Sequence, residues 1–184
     1  TFIRDGREKT SIIFVLFDDM GYGEPTSYRS TSLFKTPNID RLAREGMRFT
    51  DAHSSAASCT PTRYGFLTGR YPHRIGQFGV LNTFSPPLIP DTRLTIASYL
   101  KKNGYNTACI GKWHLGMNWD RPKTKGKIKT KEKLKIGEKM TGGPNAIGFE
   151  YFYGFTHARN IQTVIEQDTV VREVKPVENQ PLMI

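Results

Sequence analysis

The chain has 184 residues, of which 37% are hydrophobic and 24% charged, and its formal net charge is +10. This composition is typical of a globular domain and excludes a chain that is disordered throughout. The positive charge is concentrated in residues 120–139, which hold nine basic and three acidic residues. We therefore expect no nucleic-acid partner, and the Lys-rich residues 120–145 are predicted to be a solvated surface insertion. Two cysteines, Cys59 and Cys109, are too few for a disulfide framework, and Cys109, in an apolar run, is expected to be a buried structural thiol.

An apolar run near the start of the chain, residues 12–17, ends at two adjacent carboxylates, Asp18 and Asp19. A continuous run of this kind is typical of a buried parallel strand whose carboxyl end opens on a site. It is too short for the apolar core of a signal peptide or for a membrane span. We therefore expect a first strand here, no membrane-spanning segment, and an acidic site at the end of the strand.

The elements predicted after this strand alternate between helices and strands. In chain order they are a helix at 37–45, a strand at 47–50, helices at 61–68 and 92–102, a strand at 105–111, and strands within 148–155 and 161–174. Thr36 is expected to cap the first helix, and Gln167 with Asp168 to form the last hairpin turn. The pattern predicts an α/β fold in which helices flank a mostly parallel central sheet. So few strands would leave one edge of the sheet bare, so the chain is expected to be the N-terminal part of a longer domain, truncated here.

The segment SCTPTRYGFLTG, residues 58–69, combines a thiol with a guanidinium one helical turn away. Backbone N–H groups at the start of the predicted helix favour negative charge beside Cys59, and Arg63 can reach the same anion. Taken alone, this arrangement predicts an activated thiolate. Asp18 and Asp19, however, are hard oxygen ligands suited to Ca²⁺ or Mg²⁺, which pair poorly with sulfur. The combination indicates that another group takes the place of the Cys59 sulfur.

Three motifs, in this order along the chain, resemble those of the formylglycine-dependent, arylsulfatase-like sulfatases of the alkaline phosphatase superfamily. DDMGYG (18–23) resembles the first metal motif of the family, SCTPTRYGFLTGR (58–70) its signature Cys-x-Pro-Ser/Thr-Arg followed by Leu-Thr-Gly-Arg, and GKWHLG (111–116) its second signature. TPNIDRLAREGMRFTDAH (36–53) is also similar to the family. The likeness covers nearly all of the chain outside the Lys-rich segment. It implies that residues 1–184 are the N-terminal portion of a sulfatase catalytic domain.

The resemblance implies a specific chemistry at Cys59. In such sulfatases the cysteine is oxidised to formylglycine by a formylglycine-generating maturation enzyme, and the hydrated aldehyde attacks the sulfur of a sulfate ester. The same resemblance implies a Ca²⁺ ion, with Mg²⁺ as the alternative, held by Asp18, Asp19 and the modified residue 59. It therefore implies a hydrolase that cleaves sulfate esters with a modified nucleophile and a bound cation.

Further residues receive roles from their motif positions. Arg63 is expected to bind and orient the nucleophile, Lys112 to contact both nucleophile and sulfate, and His114 to be the base that releases sulfate. An extended strand end would place Lys112 and His114 on the same side, while Trp113 between them packs inward. His157, in GFTHARN, is either a substrate contact or a hydrogen-bonded structural histidine.

The resemblance is incomplete in one respect. The chain has no match to the later Asp-Asn metal ligands, the later histidine or the second lysine of the family, so the 184-residue chain alone is expected to be inactive. The substrate is expected to be a sulfate ester, and the basic segment favours a sulfated polysaccharide. The resemblance also implies a periplasmic or secreted protein, or a lysosomal one. Two alternatives stay open: a phosphonate or phosphodiester hydrolase of the same superfamily, and a non-catalytic domain that binds sulfated glycans.

Overall fold

The computed structural model describes residues 9–120 and 133–174. The chain divides into two compact units, residues 1–54 and residues 55–184, and each has its own internal contacts. Residues 121–132 of the Lys-rich segment, which was predicted to be solvated, lie outside the described residues, whereas Leu134 and Met140 in its described part are buried. Within the described ranges, none of the helices combines the length and the apolar composition that crossing a membrane requires.

The first unit contains the predicted helix α1 (Pro37–Glu45). Its boundaries agree with the prediction, but the capping prediction is wrong, because the Thr36 side chain makes no cap bond to the helix backbone. The hydroxyls of Thr26 and Thr36 bond to the carboxylate of Asp40 instead, and the backbone N–H of Ser27 donates to Asp40 Oδ1 over 2.8 Å. The hydrogen bond from Thr26 is the main cause that lowers the pKa of Asp40. Asp40 therefore ties the chain before α1 to the helix.

Two strands predicted in the first unit, residues 12–17 and 47–50, are wrong. Neither range forms a strand, and side chains in both are exposed, Ile13 by 88% and Met47 by 77%. A strand needs a neighbour whose N–H and C=O groups complete a ladder. No ladder to these residues occurs within the described ranges. The apolar pattern suits a strand, but pattern alone does not supply the partner.

The second unit begins with helix α2 (Cys59–Thr68), two residues earlier than predicted, and Gly69 ends it with φ of 65°. This left-handed conformation is the usual reason for glycine at a helix end. Helix α3 (Ile96–Lys102) starts later than predicted, because Thr95 and Ser98 form a reciprocal capping box there. Short 3₁₀ turns occur at Pro72–Ile75, Pro144–Ile147 and Ala158–Asn160.

The second unit also contains the sheet. Its strands are β1 (Ala108–Lys112), β2 (Asn118–Trp119), β3 (Met140–Thr141), β4 (Tyr151–Phe155), β5 (Thr163–Glu166) and β6 (Thr169–Glu173). A four-stranded sheet has the order β1-β4-β5-β6, with β1 parallel to β4 and the other pairs antiparallel, while β2 and β3 form a separate antiparallel pair. The α/β class is confirmed, and the described sheet is mixed. The predicted hairpin turn between β5 and β6 is confirmed, with φ of 54° at Gln167.

Strand β1 lies at an edge of this sheet and is only partly buried. Ile110 is 68% exposed, and within the described ranges β1 pairs with β4 alone. The pairing is close where two glycines face each other, since a Cβ at Gly154 would lie 1.9 Å from the carbonyl oxygen of Gly111. The β1–β4 register carries Lys112 to a position beside Phe155, at the carboxyl end of both strands.

The second unit has a core of apolar side chains, most of them from α2, from the segment after β1 and from the strands. Its members are Tyr64, Leu67, Ile89, Trp113, Leu115, Met117, Leu134, Met140, Ile147, Phe152, Ile165 and Val170. Because α2 and the segment after β1 both contribute to it, the core holds the two sequence motifs of this unit in place.

Candidate active site

Helix α2 positions the first candidate residue, Cys59, which is half-buried in the first turn. The neighbours Thr60 and Pro61 are fully buried, as is the helix face that continues through Tyr64. The residue before the helix, Ser58, is extended. The helix begins at Cys59 and its next two residues are buried. The position of the Cys59 side chain is therefore fixed by the start of the helix.

Lys112, the last residue of β1, reaches the cysteine. Its Nζ lies 3.1 Å from Cys59 Sγ, although the two residues are 53 positions apart in the chain. Arg63 supports the same contact, because its Nη1 donates to the carbonyl oxygen of Lys112 over 2.6 Å. Three of the predicted site residues are therefore linked, Cys59 to the ammonium of Lys112 and the main chain of Lys112 to Arg63.

His114 follows, but the strand does not continue to it as predicted. The backbone of His114 has φ of 58°, a left-handed conformation, so Lys112 and His114 do not alternate along an extended segment. The backbone N–H groups of Trp113 and His114 donate to Phe155 and Thr156, over 3.0 and 2.7 Å. Trp113 is buried, as expected for a packing residue.

The imidazole of His114 has a defined tautomer. Its Nε2 lies 2.8 Å from the carbonyl oxygen of Leu81. A carbonyl can only accept, so Nε2 carries the proton and donates it. When the ring is neutral, the lone pair is consequently on Nδ1. His114 is buried, with a relative exposure of 8%.

His157 lies next to His114, with the two ring centroids 5.4 Å apart. Its Nδ1 accepts from the backbone N–H of Arg159 over 3.1 Å, so Nε2 carries the proton and donates to Thr83 Oγ1 over 2.8 Å. Burial is the main cause that lowers the pKa of His157 to about 4, and the charges of His114, Arg159 and Lys112 act in the same direction. Both ring nitrogens of His157 are bonded within the chain, as expected for a hydrogen-bonded structural histidine. A contact between His157 and the substrate stays a prediction.

The second cysteine has a different environment. Cys109, in β1, packs against the apolar core. Burial raises the pKa of its thiol to about 11, although Arg63 acts in the opposite direction. Cys109 therefore stays protonated at neutral pH and is a natural control for experiments on Cys59.

Asp18 and Asp19 belong to the first unit. Both are exposed, in a bend after the apolar segment, and Asp19 has φ of 59°. Adjacent carboxylates supply the hard oxygen donors that Ca²⁺ and Mg²⁺ prefer, so the donor chemistry fits the predicted cation. The predicted ligand set of Asp18, Asp19 and residue 59 includes residues of both units and stays a prediction.

Sequence reasoning missed three residues that hold the two histidines. Leu81 and Thr83 bond to the rings, and Thr60 bonds to the backbone of both Leu81 and His114. Thr60 lies inside the motif that contains Cys59, so its position could have indicated a role beside the site. Leu81 acts through its main chain, which no side-chain pattern reveals.

Comparison with known proteins agrees with these motifs. Residues 10–172 match the protein-family model described as Sulfatase. The chain is 43% identical over 110 residues to an N-acetylgalactosamine-6-O-sulfatase of Bacteroides thetaiotaomicron, covering 60% of this chain and 21% of that protein. It is 46% identical over 116 residues to the steryl-sulfatase of Homo sapiens, covering 60% and 20%. The chain thus spans about a fifth of the length of these curated relatives.

Solved structures agree as well. One, described under the metabolism of multiple glycosaminoglycans by Bacteroides thetaiotaomicron, has a TM-score of 0.68 at 34% identity and covers 84% of this chain and 30% of that one. Another, named Ps i-CgsB, has a TM-score of 0.65 at 29% identity and covers 86% and 36%. The family model spans nearly the whole chain, and the chain therefore belongs to the sulfatase family.

Proposed function

We propose that the protein containing this chain is a sulfuric ester hydrolase that uses residue 59, converted from cysteine to formylglycine, as its nucleophile. The observation that carries the proposal is the 3.1 Å contact between Lys112 Nζ and Cys59 Sγ, together with the bond from Arg63 to Lys112. An ammonium group at that distance would also contact an oxygen in place of the sulfur. The aldehyde, once formed and hydrated, supplies a hydroxyl nucleophile and a second hydroxyl whose proton can be removed.

The residues around position 59 have complementary tasks. The ammonium of Lys112 stabilises the negative charge of a sulfate group held beside residue 59, at a fixed position before the reaction begins. Arg63 holds the main chain of Lys112 in place and adds a second positive charge. His114 takes up a proton through Nδ1, because the Nε2 proton is already donated to Leu81.

A divalent cation is part of the proposal. Asp18 and Asp19 would hold Ca²⁺, or Mg²⁺, which when bound supplies Lewis-acid stabilisation of negative oxygen. Ca²⁺ takes about six to eight oxygen ligands, and two carboxylates supply only part of this set. We therefore propose that the 184 residues form the N-terminal portion of the catalytic domain, with 120–145 as an insertion, and that this piece alone is inactive.

We propose a sulfated carbohydrate as the substrate class, which two of the matched proteins support. One relative is named for a sulfated N-acetylgalactosamine, and one of the structural neighbours, at 27% identity and a TM-score of 0.61, was solved with k-i-k-neocarrahexaose. A basic segment at 120–139 suits an acidic polymer. We place such an enzyme in the periplasm, outside the cell or in a lysosome, and propose a formylglycine-generating enzyme as its maturation partner.

Mass spectrometry combined with kinetics tests the proposal. In protein from the native host, the peptide containing residue 59 should have the mass of the aldehyde. The whole enzyme with Cys59→Ala should lose at least about a thousandfold in kcat on an aryl sulfate, since removing a nucleophile removes the covalent route. Cys109→Ala, the matched control, should keep most of its activity. An unmodified Cys59 in fully active enzyme, or an active Cys59→Ala variant, would refute the proposal.

The same protein separates sulfatase activity from its alternatives. Rates on matched sulfate esters and phosphate diesters should favour the sulfate ester. The reverse preference would identify a phosphodiester hydrolase of the same superfamily. Salt-sensitive binding of a sulfated glycan without turnover would instead support the non-catalytic alternative.

A further inference from the structure

The hydroxyl of Thr60 joins three separate segments next to the proposed nucleophile. Thr60 is 0% exposed and follows Cys59 in α2. Its Oγ1 donates to the carbonyl oxygen of His114 over 2.8 Å and accepts from the backbone N–H of Leu81 over 3.1 Å. A hydroxyl has one proton to donate and lone pairs to accept with, and this one uses both functions.

These bonds close a ring with the side chain of His114. The N–H of Leu81 is held by Thr60, and its carbonyl oxygen accepts from His114 Nε2 over 2.8 Å. Leu81 belongs to no helix or strand, and its neighbour Val80 is 56% exposed. No helix or strand therefore fixes the direction of the Leu81 carbonyl. The hydrogen bond from the Leu81 N–H to the Thr60 hydroxyl restrains this residue instead.

The same hydroxyl also supports an unfavourable backbone conformation. His114 has φ of 58°, which a residue with a Cβ adopts only when its surroundings impose it. The backbone N–H of His114 donates to Thr156, and its carbonyl oxygen accepts from Thr60. The N–H of His114 is thus held by the residue that follows β4, and its carbonyl oxygen is held by Thr60 of helix α2.

We propose that Thr60 is a positioning residue that sets the ring orientation and the Nε2–H tautomer of His114 by fixing the carbonyl group of Leu81 and the main chain of His114. The inference rests on the proposed function, in which His114 takes up a proton. With the tautomer set, Nδ1 is the nitrogen that accepts the proton. The resulting imidazolium keeps its Nε2–H bond to the Leu81 carbonyl, so no hydrogen bond to Leu81 has to be broken when the ring becomes charged.

Thr60→Val and Thr60→Ser form a matched pair, because valine keeps the shape of threonine without its hydroxyl and serine keeps the hydroxyl. Thr107→Val is the control for loss of a buried bridging hydroxyl away from the site. Thr107 Oγ1 likewise donates to a carbonyl, that of Gly148, over 2.7 Å and accepts from a backbone N–H, that of Glu150, over 3.2 Å. All variants are made in the whole enzyme, and the mass of the peptide containing residue 59 is measured in each.

Two measurements follow. The first is kcat and KM on an aryl sulfate, for protein with the aldehyde at residue 59. Thr60→Val should lower kcat by about tenfold at a nearly unchanged KM, since a misplaced base loses part of its effect. Thr60→Ser and Thr107→Val should stay within about threefold of the wild type. The second is the ¹⁵N spectrum of labelled histidine side chains, assigned with His114→Gln, which reports the tautomer without any need for activity.

The spectrum of the wild type should show His114 protonated at Nε2, and Thr60→Val should show a mixture of tautomers. An Nδ1–H tautomer in the wild type would overturn the proposal, even if no Thr60 variant folds or matures. Wild-type kcat and spectrum in Thr60→Val would overturn it too. If His114→Gln keeps full turnover while the spectra behave as expected, the proposed role of His114 in catalysis fails, but the positioning by Thr60 stands.

Discussion

The two units differ sharply in how the structure holds their candidate residues. In the second unit, Cys59, Lys112 and His114 are tied together by hydrogen bonds between α2, the end of β1 and the segment around Leu81. In the first unit, Asp18 and Asp19 follow an exposed apolar segment that forms no strand within the described residues. The motifs of both units are equally clear in the sequence.

The difference shows what each kind of site requires. A residue on a helix or at a strand end inherits its position from backbone bonds and from a packed core, so its geometry is largely fixed before any ligand arrives. Asp18 and Asp19 follow a segment that forms no strand within the described residues, so they do not inherit their position from a strand end. The two sites should therefore respond differently to substitution.

The largest effect is expected at Lys112, in the second unit, where hydrogen bonds hold the candidate residues together. Lys112→Ala in the whole enzyme should lower kcat/KM by about a hundredfold to a thousandfold, the loss typical of removing one preorganised charge stabiliser. Kinetics on an aryl sulfate measure it. Lys102→Ala removes an exposed lysine at the end of α3 and is the control. A Lys112→Ala enzyme within threefold of the control would show that the contact with Cys59 has no role in the reaction.

A smaller effect is expected from the acidic pair. Asp18→Asn and Asp19→Asn should each weaken Ca²⁺ binding by at least about a hundredfold. Even substitution of a residue that only orients a metal ligand lowers metal affinity by up to about a hundredfold. Calcium titration of the whole enzyme measures the affinity, and excess Ca²⁺ should restore part of the activity. Asp51→Asn is the control within the same unit, since that exposed carboxylate contacts His53 over 2.7 Å. Equal losses in all three variants would remove the first unit from the metal site.

The smallest effect concerns pH and His157. Its pKa of about 4 in the folded protein lies below the ordinary value of 6.5. Between these values the unfolded chain binds more protons than the folded one, so stability is fully present above about pH 6.5 and falls as the pH drops toward 4. His157→Gln should flatten the decline of the melting temperature over this range, while His73→Gln, an exposed control, should leave it unchanged. Parallel curves for both variants and the wild type would contradict the assigned burial effect.

Much of the second unit could be predicted from the sequence, because its signals are local. The helix spacing of Cys59 and Arg63, the glycine stop at Gly69 and the turn at Gln167 depend on neighbours within a few residues. The approach of Lys112 to Cys59 spans 53 positions and was accessible only through resemblance to a family. Periodicity contains no information on such a distance.

The failures have equally specific causes. Residues 12–17 have the apolar pattern of a strand, but a strand also requires a ladder partner, which a pattern does not name. The alternation expected for Lys112 and His114 fails because the backbone turns left-handed at His114, a feature stabilised by bonds to Thr60 and Thr156. Both errors concern partners that are remote in the chain.

The facing glycines of β1 and β4 have a practical consequence for engineering. A methyl group at Gly154 would fall 1.9 Å from the oxygen of Gly111, so no side chain fits there without separating the two strands. Strand separation would displace Lys112, because Lys112 and Phe155 are the next pair in the register after the two glycines. A mutagenesis library aimed at new substrates should therefore keep Gly154 constant and diversify the loops. Variants at this glycine would be inactive whatever substrate they were tested on.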